Sequence, residues 1–340
     1  PPNEVDALVF SGLSYIRFGA VAEQYPPHPV SLKEAAEAFF ALESYETCCR
    51  VEKDLDLLHA AAATGRYGNA QLCMYRDALI PEQETQFAAM TFMMDDGTVY
   101  MAFRGTDNTL VGWKEDFNMS FQEQIPAQRL AQEYLRDFAA VSRAPIWMGG
   151  HSKGGNLAVY AAAKCDHLIQ SRIIEVYNQD GPGFSASMME DPGYRRILPK
   201  LRTFVPQSSV IGMLLEHEEP YTIVKSNGMG LMQHDPYTWE IMGANFVLLE
   251  DLTEDSLFLD KTFKNWLAGM SNADRSAFFD TVFDLINSGN ADHVRDLLQP
   301  ENLRTYLKTL KSDENMRHII GSELKSLLES AKQVHLDKKS

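Results

Sequence analysis

The residues with the clearest chemical signature are Gly150-His151-Ser152-Lys153-Gly154. A serine with glycine two positions away on either side can act as a nucleophile where the chain turns sharply from a strand into a helix. Only small residues fit the flanks of so tight a turn. The neighbouring residues supply that context. Ala144 to Gly149 is a short apolar run that fits a buried strand, and Gly155 to Ala163 favours a helix. At such an elbow the hydroxyl projects from the strand end over the positive end of the following helix, which suits attack on a carbonyl carbon. A glycine-rich turn without chemistry is the alternative.

An unassisted serine hydroxyl is a poor nucleophile and needs a base. Nine histidines are available. Where this elbow occurs, the order along the chain is serine, acid, histidine, so the base belongs on a loop after the last sheet strands. His234, in Met232 to Trp239, follows an expected strand at 221–225 and the glycine-rich stretch Asn227-Gly228-Met229-Gly230. It is the candidate. His217, between Glu216 and Glu218-Glu219, is the competitor, though the carboxylates around it suggest a solvated acidic turn, and His151 is expected to point away from Ser152 and pack. His28, His59, His167, His293, His318 and His335 have no motif context. The acid that would orient the imidazole is Asp180, within Gln179-Asp180-Gly181-Pro182-Gly183. Ser208 or Ser209 holding His234 by a neutral hydrogen bond is the rival, and a plain turn residue before Gly-Pro is the structural alternative. Asp235 adjoins the histidine, a spacing that rarely gives the required geometry.

The elements that must position these groups follow from patterning. Ser31 and Glu34 form a capping-box pair ahead of apolar residues, predicting a helix over 31–64. Residues 86–94 and 98–103 around Asp95-Asp96-Gly97 read as a β-hairpin, and 127–141 as a helix leading to the elbow strand. Strands are expected at 172–177, 201–205 and 221–225. Alternation of strands with helices predicts a mostly parallel sheet. From about residue 252 aromatic and aliphatic residues recur at helical spacing, predicting a C-terminal helical region at 251–340 after a main domain at 1–250. Its apolar stripes read as core rather than as a membrane-binding face. Lys332 to Ser340 reads as a frayed tail.

Composition narrows the function. With 47 acidic and 31 basic residues the net charge is −16, which argues against nucleic acid and anionic membrane surfaces as main partners. No apolar run approaches the ~20 residues of a membrane span, and Pro1 to Phe10 lacks the pattern of a signal peptide. The four cysteines form no C-x-x-C pair, and the adjacent Cys48 and Cys49 are unsuited to an ordinary disulfide, so a reducing, cytoplasmic setting is expected. No motif suggests a metal or another cofactor. The methionine-rich stretches Met188-Met189, Met213-Leu214-Leu215 and Met229 to Met232 are either core or the lining for an apolar acyl chain.

Phe103-Arg104-Gly105-Thr106, followed by Trp113, Asp116 and the elbow, resembles the class 3 (fungal-type) lipases. His234 with Tyr237 resembles their histidine region. A closer likeness is to a bacterial family of lipase-like hydrolases first described as a domain of unknown function. It is carried by Asn3 to Leu8, Tyr177 to Gly183 and Val205 to Ser209, and covers about residues 3 to 250. The resemblance implies an α/β-hydrolase fold with helices on both faces of the sheet. It also implies a serine-hydrolase site with an oxyanion hole made by the main-chain N–H groups of Thr106 and Lys153. Arg104 and Asp116 would steady that loop, with Trp113 beneath it. The chain departs from the class 3 pattern where an aspartate is expected after the strand at 201–205, since Gln207-Ser208-Ser209 stands there. The implied activity is cleavage of a small acyl ester or lipid. A thioesterase or acyltransferase using the same serine, or a non-catalytic scaffold, remains open, as does oligomeric state.

Overall fold

The computed structural model describes residues 1–22, 28–107, 109–289, 291 and 296–337. His293, Asn290 and the last three residues of the expected frayed tail lie outside them. The chain divides into two compact units, Pro1–Asp107 with Pro126–Leu252, and Asn108–Ile125 with Thr253–Ser340.

The first unit is built on a nine-stranded sheet. Its strands are β1 (Val30–Ser31), β2 (Gln71–Ile80), β3 (Thr85–Met93), β4 (Val99–Phe103), β5 (Ile146–His151), β6 (Ile173–Gln179), β7 (Leu201–Pro206), β8 (Tyr221–Val224) and, after the small hairpin β9 (Ile241–Met242) and β10 (Asn245–Phe246), β11 (Leu248–Leu249). In space they run β1-β2-β3-β4-β5-β6-β7-β8-β11. The pairings from β4 to β8 are parallel. Those among β1 to β4 and between β8 and β11 are antiparallel. The sheet is therefore mixed, with a parallel centre between antiparallel flanks, on an α/β-hydrolase plan.

Strand alternation sends neighbouring residues to opposite faces. On one face, Tyr100 of β4 stacks on Phe10 of helix α1 (Glu4–Leu13), and Ala102, Trp147 and Tyr177 continue the same core. Helices α2 (Leu32–Phe40) and α3 (Glu52–Ala62) belong to this layer. Phe103 points the other way and meets Tyr134 of α5 (Pro126–Val141), which follows α4 (Leu110–Asn118) in the chain. Beyond β5 come α6 (Lys153–Lys164) and the short helices α7 (His167–Gln170), α8 (Ala186–Met189) and α9 (Pro192–Ile197).

The expected single helix over 31–64 is two. Ser31 and Glu34 do cap α2, but Asp54 makes a second start signal by accepting from the Arg50 and Val51 N–H groups, and α3 begins there. Helix α1 has its own capping box, between Asn3 and Asp6. The second unit contains α4, α10 (Glu254–Ala268), α11 (Asn272–Asn287), α12 (Pro300–Ser312) and α13 (Glu314–Asp337). Its core is Trp266, Met270, Phe278 and Phe279, with Phe117 of α4 stacked on Phe279 at 4.7 Å.

Candidate active site

β5 ends at His151 and α6 begins at Lys153, leaving Ser152 alone at the turn with φ 59° and ψ −135°. Few non-glycine residues adopt this backbone, at a cost of about 1–3 kcal/mol. The surroundings enforce it. The Ser152 N–H donates to the Gln179 carbonyl of β6 at 2.9 Å. A Cβ at Gly154 would stand 2.1 Å from the Phe103 carbonyl oxygen, and one at Gly150 would stand 2.3 Å from the Gly154 carbonyl carbon. The strand-to-helix turn closes only because both positions are glycine.

His234 comes from a short 3-10 turn, Gly230–His234, after β8. Its Nε2 lies 2.9 Å from Ser152 Oγ and its Nδ1 lies 2.6 Å from Asp180 Oδ2. Asp180 is fully buried at the end of β6 and is itself left-handed, with φ 54°. Its N–H donates to the Phe204 carbonyl of β7 at 2.8 Å. Its second carboxylate oxygen accepts from Ser209 Oγ at 2.5 Å and from the Gly212 N–H at 3.2 Å. Ser209 thus stands behind the Asp180 carboxylate. Ser208 donates its N–H to the Gln233 side chain at 2.9 Å. Where the class 3 pattern has an aspartate, this chain brings a hydroxyl to a carboxylate from the neighbouring strand.

The histidine loop is tied to distant segments. Tyr237 donates its hydroxyl to Asp54 of α3 at 2.8 Å, and Asp235 pairs with Arg50 at 4.0 Å and Lys53 at 3.7 Å. Trp239 Nε1 donates to the Gln233 carbonyl at 2.9 Å. Gln207 and Ser226 join the loop to the end of β7 through two hydrogen bonds of 2.9 and 2.7 Å. The buried His151 ring reaches the His234 carbonyl oxygen with Nε2 at 2.7 Å, and its Nδ1 lies 3.1 Å from the Tyr15 hydroxyl. Burial pushes the His151 imidazole well below its usual pKa, and the charges of His234 and Arg50 act in the same direction. None of Tyr15, Arg50 or Asp54 carries a sequence signal for this position beyond Asp54's place in a helix cap.

Thr106 follows β4, and Lys153 is the first residue of α6, so its N–H is one that the helix does not use internally. The Thr106 segment lies against the elbow, since a Cβ at Gly105 would stand 3.2 Å from Ser152 Cβ. The Lys153 side chain is buried, with Nζ donating to the Gln86 carbonyl at 3.0 Å and the Gln86 side-chain oxygen at 3.1 Å. Arg104 is buried and grips Asp77 of β2 through two nitrogens, at 2.8 and 3.2 Å. This fastens the start of the Thr106 segment to the sheet.

Two expectations change. Trp113 is 41% exposed on α4 rather than packed, and Asp116 shares that helix. The acidic turn around His217 is only partly solvated: Glu216 and Glu218 are exposed, but the His217 side chain is 11% exposed and its Nδ1 meets the buried Glu219 at 3.2 Å. The methionine-rich stretches divide. Met188 and Met213 are core, whereas Met229, Leu231 and Met232, just before His234, are 85%, 66% and 64% exposed.

The arrangement can move a proton from a hydroxyl to an imidazole while a buried carboxylate accepts a hydrogen bond from the opposite ring N–H. Among the described residues no group of His, Cys, Asp or Glu is placed to hold a metal ion, and no helix is long and apolar enough to cross a membrane. All four cysteines are free thiols.

The fold is that of an α/β-hydrolase. A protein-family model described as Mbeg1-like matches residues 61–284, and the chain belongs to that family. No curated protein gives a significant sequence match. Among solved structures, the chain is similar to M37 lipase at 14% identity and TM-score 0.40, over 63% of this chain and 69% of that one. It is also similar to a fungal lipase in complex with an inhibitor at 15% identity and TM-score 0.37, over 59% and 83%. Rhizomucor miehei lipase with its propeptide follows at 14% identity and TM-score 0.35, over 65% and 84%. Likenesses this distant add nothing to what the strand order and site geometry establish.

Proposed function

We propose that the chain is a serine hydrolase that cleaves carboxylic esters with apolar acyl chains through an acyl-serine intermediate. One observation carries this reading: the His234 imidazole bridges Ser152 Oγ, at 2.9 Å, and Asp180 Oδ2, at 2.6 Å. Ser152 Oγ attacks the ester carbonyl as His234 Nε2 takes its proton. Asp180 holds the Nδ1–H and offsets the charge on the imidazolium that forms. The Thr106 and Lys153 N–H groups receive the oxyanion, one such donor being worth about 3 kcal/mol. The proton passes from His234 to the departing alkoxide. Water, deprotonated by His234, then releases the acid. The exposed apolar residues Met229, Leu231 and Met232 beside the base support an apolar or lipid substrate, because methionine adapts to irregular aliphatic chains.

The test is labelling with a fluorophosphonate probe. Wild type is expected to label and Ser152→Ala not at all, with Asp180→Asn slowed on the order of 10⁴-fold and His234→Ala on the order of 10⁶-fold. Equal labelling of wild type and Ser152→Ala overturns the assignment. Competition between water, alcohols and thiols for the acyl group would distinguish hydrolysis from acyl transfer.

A further inference from the structure

We propose that His151, the residue before the nucleophile, is a positioning residue that aims His234 at Ser152, and that Tyr15 selects the ring form able to do this. The inference rests on reading His234 as the base. A carbonyl oxygen only accepts, so His151 Nε2, 2.7 Å from the His234 carbonyl, must carry the hydrogen. In a neutral ring Nδ1 is then an acceptor, and the Tyr15 hydroxyl at 3.1 Å supplies the donor. One tautomer satisfies both bonds; the other sets a nitrogen lone pair against the carbonyl.

Tyr15 is itself constrained. The Arg50 guanidinium lies 4.1 Å from its ring centroid, and its hydroxyl occupies space at Gly105, where a Cβ would approach to 2.3 Å. The two imidazoles are close, with centroids 4.6 Å apart. A neutral His151 leaves His234 free to become cationic during acyl transfer, whereas a second cation at this distance would oppose it. Burial and the neighbouring charges keep His151 uncharged.

The bond acts on the main chain of the same residue whose side chain must meet Ser152 Oγ. A misplacement of about 1 Å at a reacting group costs roughly 100-fold in rate. If the ring only filled space, leucine would replace it as well as glutamine. If it acts through its N–H, glutamine, whose amide nitrogen reaches about as far as Nε2, should do better.

Fluorophosphonate labelling, resolved into a maximal rate and a half-saturating concentration, separates the two. His151→Leu is expected to lower the maximal rate about tenfold or more and leave half-saturation within about twofold. His151→Gln should recover most of the loss, and Tyr15→Phe should fall between them. A His151→Leu protein that labels at the wild-type maximal rate, or a His151→Gln protein as slow as His151→Leu, overturns the proposal while leaving the hydrolase reading intact. Should His151→Leu fail to fold, Tyr15→Phe decides: a wild-type rate refutes the tautomer role and with it the proposal. A wild-type protein that does not label removes the hydrolase reading and this inference together.

Discussion

Ser152 and His234 are held in place by opposite means. Ser152 is set by its immediate neighbours: a strand before it, a helix after it, and glycines at 150 and 154 that let the turn close against the Phe103 carbonyl. His234 sits in a loop with little regular structure, and its anchors come from far along the chain. His151 is 83 residues away and, for the same loop, Tyr237 reaches Asp54 across 183 residues. A geometry written in contiguous residues needs only its neighbouring strands, here β4 and β6, to close. One that depends on distant polar partners forms only once the domain is assembled, and each partner can be lost separately.

The sharpest way to break this contrast is at the elbow. Gly154→Val drives side-chain atoms into the Phe103 carbonyl and the following main chain. We expect a loss of more than about 4 kcal/mol, read as failure to fold or a collapsed melting temperature. A stable Gly154→Val protein would show that the turn is less constrained than its contacts indicate.

A control lies outside both regions, at Glu219. Burial raises its carboxyl, but His217 and the Tyr194 hydroxyl outweigh that and hold it down to about 2. Its folded pKa is below the ordinary 4.5, so its contribution is complete above about pH 4.5 and is lost as pH falls toward 2. The loss amounts to roughly 3 kcal/mol at most. Melting temperature should fall through that window, and Glu219→Gln should flatten the fall. An unchanged acid limb in that variant would assign the sensitivity elsewhere.

The smallest effect tests the loop. Tyr237→Phe removes the bond to Asp54 without disturbing the two N–H groups that Asp54 caps. We expect about 1–2 kcal/mol of destabilisation and a severalfold slower reaction with a fluorophosphonate. Wild-type reactivity would mean that the remaining ties hold the loop unaided.

The same division explains what could be read from the sequence. The elbow was legible because its signal is short and contiguous. Asp180 was accessible because a glycine-rich turn after a strand marks the sheet's carboxyl edge. The tie between Ser209 and Asp180 was not, because the missing class 3 aspartate left both residues as candidates for the same position. Nothing near Tyr15 or Arg50 points to a histidine more than a hundred residues away. Strand β2 carries no clear sequence signal because Arg76 and Asp77 interrupt its alternation, and 31–64 reads as one helix because the Asp54 cap lies inside a run that otherwise suits one.

The family model begins at residue 61, after Tyr15, Arg50 and Asp54. It spans Ser152, Asp180 and His234 and begins after residues that tie the His234 loop and the His151 ring in place. On the proposed reading, substitutions before residue 61 would change how the His234 loop is held while leaving every letter of the Gly-x-Ser-x-Gly motif in place.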